Sequence, residues 1–156
     1  MVQFTVTKYF DAAPEIAFQY ASDLARAADR IEGIAKLELL TDGPVGVGTR
    51  FRETRIMFKR EATEEMEITR FDPPRSYEVE ANSHGCHYHT VYTFTPEGQG
   101  TEVTLVFNAH ALTMTARIMS FVMAPLMRSA MRCIEADLDD LAKAVVEEGA
   151  AVSADR

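Results

Sequence analysis

Hydrophobic and polar residues alternate over the first ten positions of the chain. Phe4, Val6 and Phe10 fall on one side of this segment and mostly polar residues fall on the other, a period of two that is typical of a half-buried strand. A proline and an acidic residue follow at the positions typical of a helix entry. Apolar residues then continue as far as Ile31 with an interruption near Ser22. This stretch therefore predicts two short helices.

The middle of the chain has the pattern of successive strands. A predicted strand at residues 34–40 ends in a loop rich in glycine, whose spacing is not that of a phosphate-binding loop. From residue 49 to residue 111, segments of alternating polarity are separated by turn residues, which is typical of an antiparallel meander. Together with the first strand, the pattern predicts a seven-stranded antiparallel sheet.

The last third of the chain has the period of a helix. Between residues 113 and 148, apolar residues at spacings of three, four and seven fall on one helix face: Met119, Met123, Met127, Ile134, Leu138, Leu141 and Val145. Pro125 lies within this pattern and predicts a kink or break just before it. Residues 150–156 are expected to form a flexible tail, which leaves residues 1–149 as a single domain.

Turns at Lys59–Arg60 and His84–Gly85 and a loop at residues 96–100 give the register of three hairpins, if like residues are kept on one face. The predicted pairs are Phe51 with Ile68, Glu53 with Met66, Arg55 with Glu64, Tyr77 with Tyr92, Tyr88 with Ala81 and Ala109, and Thr90 with Val79 and Phe107. These pairs place apolar side chains on one face of the sheet, and another element must bury that face. The long C-terminal helix is the element that can do so. We therefore expect an α+β fold in which this helix lies across a curved sheet and leaves a cavity for a small ligand.

Composition narrows the class of protein without indicating a chemistry. The 156 residues are 47% hydrophobic and 26% charged, which is ordinary for a globular domain. Sixteen Lys and Arg against 24 Asp and Glu give a net charge of −8, which disfavours nucleic acid and anionic membranes as partners. No apolar run is long enough to span a membrane. Two cysteines give no disulfide framework and favour a cytoplasmic location.

Four short segments occur in an order known from one superfamily. They are Phe10-Asp11-Ala12-Ala13-Pro14-Glu15 after the first strand, Gly46-Val47-Gly48-Thr49-Arg50-Phe51 opening the third, Phe71-Asp72-Pro73-Pro74-Arg75 after the fourth, and Gly100-Thr101-Glu102-Val103-Thr104 opening the last. With the order of predicted elements, they make residues 2–148 resemble the START-like (SRPBCC) helix-grip superfamily, in particular its polyketide cyclase/dehydrase and lipid-transfer branch. The resemblance implies a cavity between sheet and long helix that binds an apolar or aromatic molecule. Many relatives carry a tryptophan in the second short helix, where this chain has Asp29-Arg30-Ile31, so the mouth of the cavity is expected to differ.

Three charged residues, Glu53, Arg55 and Glu64, are predicted to point inward, where charges are costly unless they are paired. As the polar end of a ligand cavity, Arg55 would pair with Glu64 and hold a carboxylate, phenolate or carbonyl oxygen. Glu53, without a full partner, would act as a general acid or base. The alternative interpretation is a structural ion pair at the rim of the sheet.

The side chains predicted to line the cavity come from five strands and the C-terminal helix. Besides Glu64 they are Phe51, Met66, Tyr77, Val79, Tyr88, Thr90, Tyr92, Leu105, Phe107, Met119, Met123 and Met127. Tyrosine hydroxyls would bind ligand or water, and methionines would form an adaptable wall, although both sets would also serve as core packing. Cys86 has no base nearby on its face and Cys133 is expected in the core, so neither is predicted to be a nucleophile.

Three histidines, His87, His89 and His110, are predicted to lie together on the polar outer face, with Glu80 opposite His89. Imidazole and carboxylate groups are zinc ligands. Flat strands seldom close a tetrahedral shell, however, so we interpret this group as a solvated patch that titrates near neutral pH. No metal site and no cofactor are predicted.

The sequence-based hypothesis is non-covalent binding of a hydrophobic or aromatic small molecule, lipid-like or polyketide-like, by a monomer or homodimer. One alternative is a polyketide cyclase, dehydratase or aromatase, formally a lyase or isomerase. In that enzyme Glu53 would transfer a proton while Arg55 and a tyrosine stabilise oxyanion charge. The other alternative is a protein-interaction module that uses the outer face or the edge strands and has no ligand.

Overall fold

The computed structural model describes residues 1–57, 59–122 and 124–154 of the chain. Its centre is a seven-stranded antiparallel sheet in the order β1-β7-β6-β5-β4-β3-β2. The strands are β1 (Val2–Phe10), β2 (Ile34–Leu39), β3 (Arg50–Met57), β4 (Arg60–Asp72), β5 (Ser76–Ser83), β6 (Cys86–Glu97) and β7 (Gly100–Ala111). Strands β2 to β7 follow one another as neighbours, as in the predicted meander, and β1 completes the sheet by pairing with β7.

The helices lie in the two places that the sequence predicts. Between β1 and β2 are α1 (Pro14–Ser22), a 3-10 turn (Leu24–Arg26) and α2 (Ala27–Arg30), and after β7 come α3 (Met114–Val122) and α4 (Ala124–Ala154). The predicted α+β class is confirmed. The kink or break predicted just before Pro125 falls at residue 123, which lies outside the described residues, so it stays a prediction.

Helix α4 continues to Ala154, so residues 150–154, expected in the tail, are helical. Charged residues recur along α4, and none of the helices in the described stretches is both long enough and apolar enough to cross a membrane.

The hairpin between β3 and β4 is offset by two residues from the predicted register. Arg55 lies opposite Ala62, and Glu64 lies opposite Glu53. The predicted pairs Arg55 with Glu64, Phe51 with Ile68 and Glu53 with Met66 are therefore wrong. The connection comes one residue earlier than expected, with Lys59 in it at a φ of 62°. Because side chains alternate with a period of two, this offset leaves every residue on its predicted face.

The other two hairpins have the predicted registers. The confirmed pairs are Tyr77 with Tyr92, Tyr88 with Ala81 and Ala109, and Thr90 with Val79 and Phe107.

The inward-facing side chains become less buried along the strands, from one end of the sheet to the other. One hydrophobic core holds the fully packed end, where strand residues meet the C-terminal part of α4: Phe10, Phe94, Val103, Leu105, Leu138, Leu141 and Val145. Toward the turn between β5 and β6, the inward-facing residues of β6 and β7 are only partly buried. The concave face is thus solidly packed at one end and accessible to water at the other.

Candidate functional site

The accessible end of the concave face carries three aromatic residues and one threonine, which we call the inner-face patch: Phe4, Tyr88, Phe107 and Thr90. The ring of Phe107 stacks on Phe4 at a centroid distance of 4.9 Å and lies 5.9 Å from the ring of Tyr88. Thr90 is the cross-strand neighbour of Phe107. All four residues are only partly buried, so a bound molecule could cover surface that the fold leaves accessible.

The inner-face patch carries two side-chain hydroxyls, those of Thr90 and Tyr88. Burial, together with the neighbouring Cys86, raises the pKa of Tyr88 to about 12. The Tyr88 hydroxyl therefore stays protonated at neutral pH and can donate a hydrogen bond.

Four residues predicted to line the cavity are instead packed in the core: Phe51, Tyr77, Val79 and Leu105. Tyr77 shows why. Its ring stacks on Tyr92 with centroids 4.4 Å apart and planes 10° apart, and its hydroxyl donates a hydrogen bond to the carbonyl of Ala21 at 3.1 Å. Burial raises the pKa of Tyr77 well above the ordinary value. Its hydroxyl therefore keeps its proton, which is already used in the hydrogen bond to α1.

A charge cluster lies where α4 crosses the sheet, formed by Glu53 and Arg55 of β3 and Asp137 of α4. Arg55 binds Asp137 through two hydrogen bonds, from Nη1 to Oδ1 at 3.1 Å and from Nη2 to Oδ2 at 2.7 Å, and its Nε donates to Glu53. Only 22% of the Arg55 side chain and 14% of each carboxylate side chain are exposed. With two carboxylates for one guanidinium, the fully ionised cluster carries one net negative charge.

Burial and ion pairing act in opposite directions on the charge cluster. Burial raises the pKa of Asp137 above its ordinary value, and Arg55 only partly offsets this effect. For Arg55, burial favours the neutral form, but the hydrogen bonds and charges of Asp137 and Glu53 prevail and raise its pKa. Burial and the two carboxylates also raise the pKa of Tyr92. The guanidinium therefore stays charged, while Asp137 binds a proton at a higher pH than an ordinary aspartate.

Gly33, immediately before β2, brings the backbone close to the charge cluster. A Cβ at this position would lie 3.1 Å from Nη1 of Arg55 and 3.2 Å from Oδ1 of Asp137. Any side chain here would therefore press on both partners of the ion pair.

The structure brings together two of the three charged residues that were predicted to point inward. Glu53 and Arg55 share the charge cluster, whereas Glu64 is 38% exposed and lies near the imidazole of His84, with 3.9 Å between Oε1 and Nδ1. Glu64 is therefore not the partner of Arg55.

Asp137 is the residue that sequence reasoning missed, although a signal for it was present. It lies three residues after Ile134 and four residues before Leu141, which places it on the apolar face of α4. A carboxylate on such a face needs a buried partner. The predicted inward-pointing Arg55 was the matching cation.

The predicted methionine wall is only partly formed. Met119 lies on α3 and is 58% exposed, Met66 and Met127 are partly buried, and Met123 lies outside the described residues. Cys133 is exposed, so its prediction as a core residue is wrong; each step along a helix turns the side chain by about 100°.

The predicted histidine patch is divided into two hydrogen-bonded pairs. His87 Nε2 lies 2.8 Å from Glu80 Oε2, and His89 Nε2 lies 2.7 Å from Glu78 Oε2, while His110 lies opposite His87. The hydrogen bond with His87 helps to hold the pKa of Glu80 below its ordinary value. Within the described residues, no group of His, Cys, Asp and Glu side chains has a metal-binding arrangement.

Two surface clefts, of about 420 Å³ and about 280 Å³, lie outside the concave face. The larger one runs between α2 and the C-terminal half of α4 and is lined mainly by charged residues. The smaller one lies between β1 and α4. Neither corresponds to the cavity expected between the sheet and the long helix.

Arg30 borders the larger cleft and ties α2 to α4. Its side chain is only 5% exposed and binds Glu148 with two hydrogen bonds, from Nε at 3.1 Å and from Nη2 at 2.9 Å. It also pairs with Asp23 at 3.1 Å and lies 4.2 Å from the ring centroid of Tyr20. Arg30 thus fills, by ion pairing and cation–π contact, the region where the resemblance leads us to expect a tryptophan.

Comparison with known proteins gives a family match and a fold match. Residues 1–146 match the family model described as polyketide cyclase/dehydrase and lipid transport. No curated protein matches the chain.

Solved structures share the fold at low sequence identity. A protein from Thermus thermophilus superposes with a TM-score of 0.79 at 21% identity, over 94% of this chain and 99% of that one. The di-domain ARO/CYC StfQ of the steffimycin biosynthetic pathway gives 0.77 at 18% identity, over 96% of this chain and 52% of that one. Norcoclaurine synthase from Thalictrum flavum, in complex with dopamine and hydroxybenzaldehyde, gives 0.69 at 18% identity, over 94% and 87% of the two chains.

Proposed function

The chain belongs to the polyketide cyclase/dehydrase and lipid transport family, and from this premise we propose that it binds a hydrophobic or aromatic small molecule against the inner-face patch. The observation that carries the proposal is the fall in burial along the strands. The same inner face is fully packed around Phe94 and Leu105 but leaves the aromatic side chains of Tyr88 and Phe107 partly accessible.

Burial of those rings by a ligand supplies the binding free energy. Each Å² of apolar surface removed from water contributes about 25 cal/mol before entropic costs. Flat aromatic ligands suit this surface because Phe4 and Phe107 already stack on each other and can extend the stack to a further ring.

The charge cluster limits the polar groups that the ligand can carry. Arg55 already binds Asp137 and Glu53, so the predicted role of Arg55 in holding a ligand carboxylate or phenolate would require displacing one of them. The net negative charge of the cluster also repels an anion. We therefore propose a neutral ligand that donates hydrogen bonds, such as a hydroxylated aromatic compound.

The second candidate function is a cyclase, dehydratase or aromatase, and the charge cluster is the observation that favours it. In this reaction Glu53 would accept a proton from the substrate, while Arg55 and the Tyr88 hydroxyl would stabilise negative charge on a carbonyl oxygen. Asp137, whose pKa is raised by burial, would hold Arg55 in place. StfQ, with a similar fold, is by its name an ARO/CYC protein.

The binding proposal is tested with a matched pair of probes, 2-naphthol and 2-naphthoic acid, titrated by calorimetry. We expect 2-naphthol to bind and its carboxylate analogue to bind at least about tenfold more weakly, since the proposed ligand is neutral and the net charge of the cluster repels an anion. Replacing Phe107 with alanine should weaken 2-naphthol binding about tenfold through lost contact area. Phe121→Ala is the control, because Phe121 is 88% exposed on α3. Tyr88→Ala serves as a second variant if Phe107→Ala unfolds.

Two further outcomes separate the candidate functions. Absence of binding to either naphthalene probe, and of any co-purifying compound in native mass spectra, would favour an interaction module instead. If a co-purifying compound is converted by the protein and Glu53→Gln abolishes turnover but not binding, the enzyme is supported over the carrier.

A further inference from the structure

Helix α3 has its apolar face turned outward. Ala116 is the buried residue on its inner side, whereas large apolar residues on the opposite side and just before the helix are 58–88% exposed: Leu112, Met114, Ile118, Met119, Phe121 and Val122. A surface helix of a globular protein normally has the reverse arrangement. Large exposed apolar patches of this kind mark an interaction site.

The inner side of α3 is anchored to the sheet, which keeps this orientation in place. The backbone N–H of Leu112 donates to the carbonyl of Gly85 at 2.8 Å. Thr113 caps the helix, with its Oγ1 accepting a hydrogen bond from the N–H of Ala116 at 3.1 Å. Gly85 leaves space for both, because a Cβ there would lie 2.8 Å from Thr113 Oγ1 and 3.5 Å from the Ala116 Cβ. The outward apolar face is therefore a consequence of specific packing at the turn between β5 and β6.

Charge is distributed very unevenly around this helix. The chain as a whole has a net charge of −8, yet residues 103–134 contain no Asp or Glu and include Arg117, Arg128 and Arg132. All three arginines are exposed. In the part of the chain that the structure describes, none of them forms an ion pair with an acidic side chain.

We propose that α3 and the first turns of α4 form a docking surface for an anionic lipid bilayer. Exposed apolar side chains beside unpaired arginines match the acyl and headgroup layers of such a surface. A second copy of the chain fits less well, since a symmetric contact through this surface would bring the same arginines together. The net charge of the protein repels anionic membranes at long range, so docking requires the orientation in which the acid-free stretch faces the lipid.

The absence of tryptophan from the sequence provides a direct test. Phe121→Trp introduces a single tryptophan on the outward face of α3, and Ile56→Trp introduces one at an equally apolar but distant site that is 58% exposed on β3. With vesicles of equal parts phosphatidylcholine and phosphatidylserine, we expect the emission of the first variant to shift to shorter wavelength and that of the second to remain unchanged. Vesicles of phosphatidylcholine alone should produce little shift.

The charge contribution is tested by vesicle sedimentation. Arg128→Gln and Arg132→Gln should each weaken binding to the anionic vesicles about fivefold, and high salt should weaken binding of the wild type. Arg75→Gln, which removes an exposed arginine paired with Asp72, is the matched control.

Three outcomes would overturn the proposal. One is the absence of a wavelength shift and of sedimentation with anionic vesicles. Another is equal binding to neutral and anionic vesicles that the arginine variants do not change. The last is a dimer in light scattering that Phe121→Gln converts to a monomer, which would make this surface a contact between copies of the chain.

Discussion

Asp137 on α4 and Arg55 on β3 form a two-point ion pair across the interface between helix and sheet, with Nη1–Oδ1 and Nη2–Oδ2 distances of 3.1 Å and 2.7 Å. Glu53 adds a second carboxylate to the same guanidinium. The pair is a direct polar link between the long helix and a strand near the edge of the sheet. It also determines how substitutions in the cluster affect stability.

Removing the arginine should cost more than removing the aspartate. Arg55→Met leaves Glu53 and Asp137 as two mostly buried carboxylates with no cation, and we expect it to lower the free energy of unfolding by about 3 kcal/mol. Asp137→Asn leaves a neutral pair of Glu53 with Arg55 and should cost only about 1 kcal/mol. Urea denaturation measures both values. Arg75→Met should leave the midpoint unchanged, and equal costs for the two cluster variants would contradict this account of the charges.

The free energy of unfolding that Arg55→Met loses relative to wild type should become smaller as the pH falls. Burial already raises the pKa of Asp137 in the folded protein, and loss of the guanidinium removes the main influence that lowers it. A carboxyl group with a raised pKa in the folded state binds its proton more tightly there than in the unfolded chain, so protonation stabilises the fold. The difference from wild type, measured by urea denaturation, should be smaller at about pH 5 than at pH 7.

The matched control for this pH dependence is the double variant Arg55→Met/Asp137→Asn, which lacks the titrating carboxyl of Asp137. The loss of unfolding free energy in the double variant, relative to wild type, should change less with pH. If single and double variants show the same pH dependence, Asp137 is not the group responsible.

Gly33→Ala should destabilise the protein through the charge cluster. The new Cβ would crowd Arg55 and Asp137 at 3.1 Å and 3.2 Å, and we expect a loss of about 1–2 kcal/mol. Gly46→Ala is the control, since a Cβ there has no neighbour within 4 Å. Comparison of thermal unfolding midpoints tests this prediction, and equal midpoints for the two variants would show that the cluster can move aside freely.

Arg30→Met should loosen the contact between α2 and α4. The substitution removes a nearly fully buried guanidinium from Glu148, Asp23 and Tyr20, and we expect a loss of about 2 kcal/mol. Arg26→Met is the control, because Arg26 reaches the same Glu148 at 3.5 Å from a side chain that is 55% exposed. Hydrogen exchange of α2 amides should rise in the first variant and not in the second.

Periodicity alone was sufficient to predict the order of strands and helices, because each element buries one face and shows it in its sequence. It could not give the β3–β4 register. An offset of two residues places the same side chains on the same face, so the hydrophobic pattern is identical for Arg55 opposite Glu64 and for Arg55 opposite Ala62.

The candidate site was predicted less completely than the fold for two physical reasons. Partners such as Asp137 and Arg55 lie 82 positions apart in sequence, and only the packing of α4 on the sheet brings them together. The outward face of α3 was hidden for another reason. Its apolar spacing, read together with that of α4, looks like a single buried face, and periodicity does not show which part of such a face the rest of the fold leaves exposed.

The graded burial along the strands separates two properties within the same polypeptide segments. Substitutions near Phe94 and Val103 act on the folding equilibrium, whereas substitutions six or so positions away, around Tyr88 and Ala109, act chiefly on what the concave surface can accommodate. Under the proposed function, specificity could therefore diverge while the scaffold remains unchanged, which makes the turn-proximal halves of β6 and β7 the natural positions for a library that selects new binding partners.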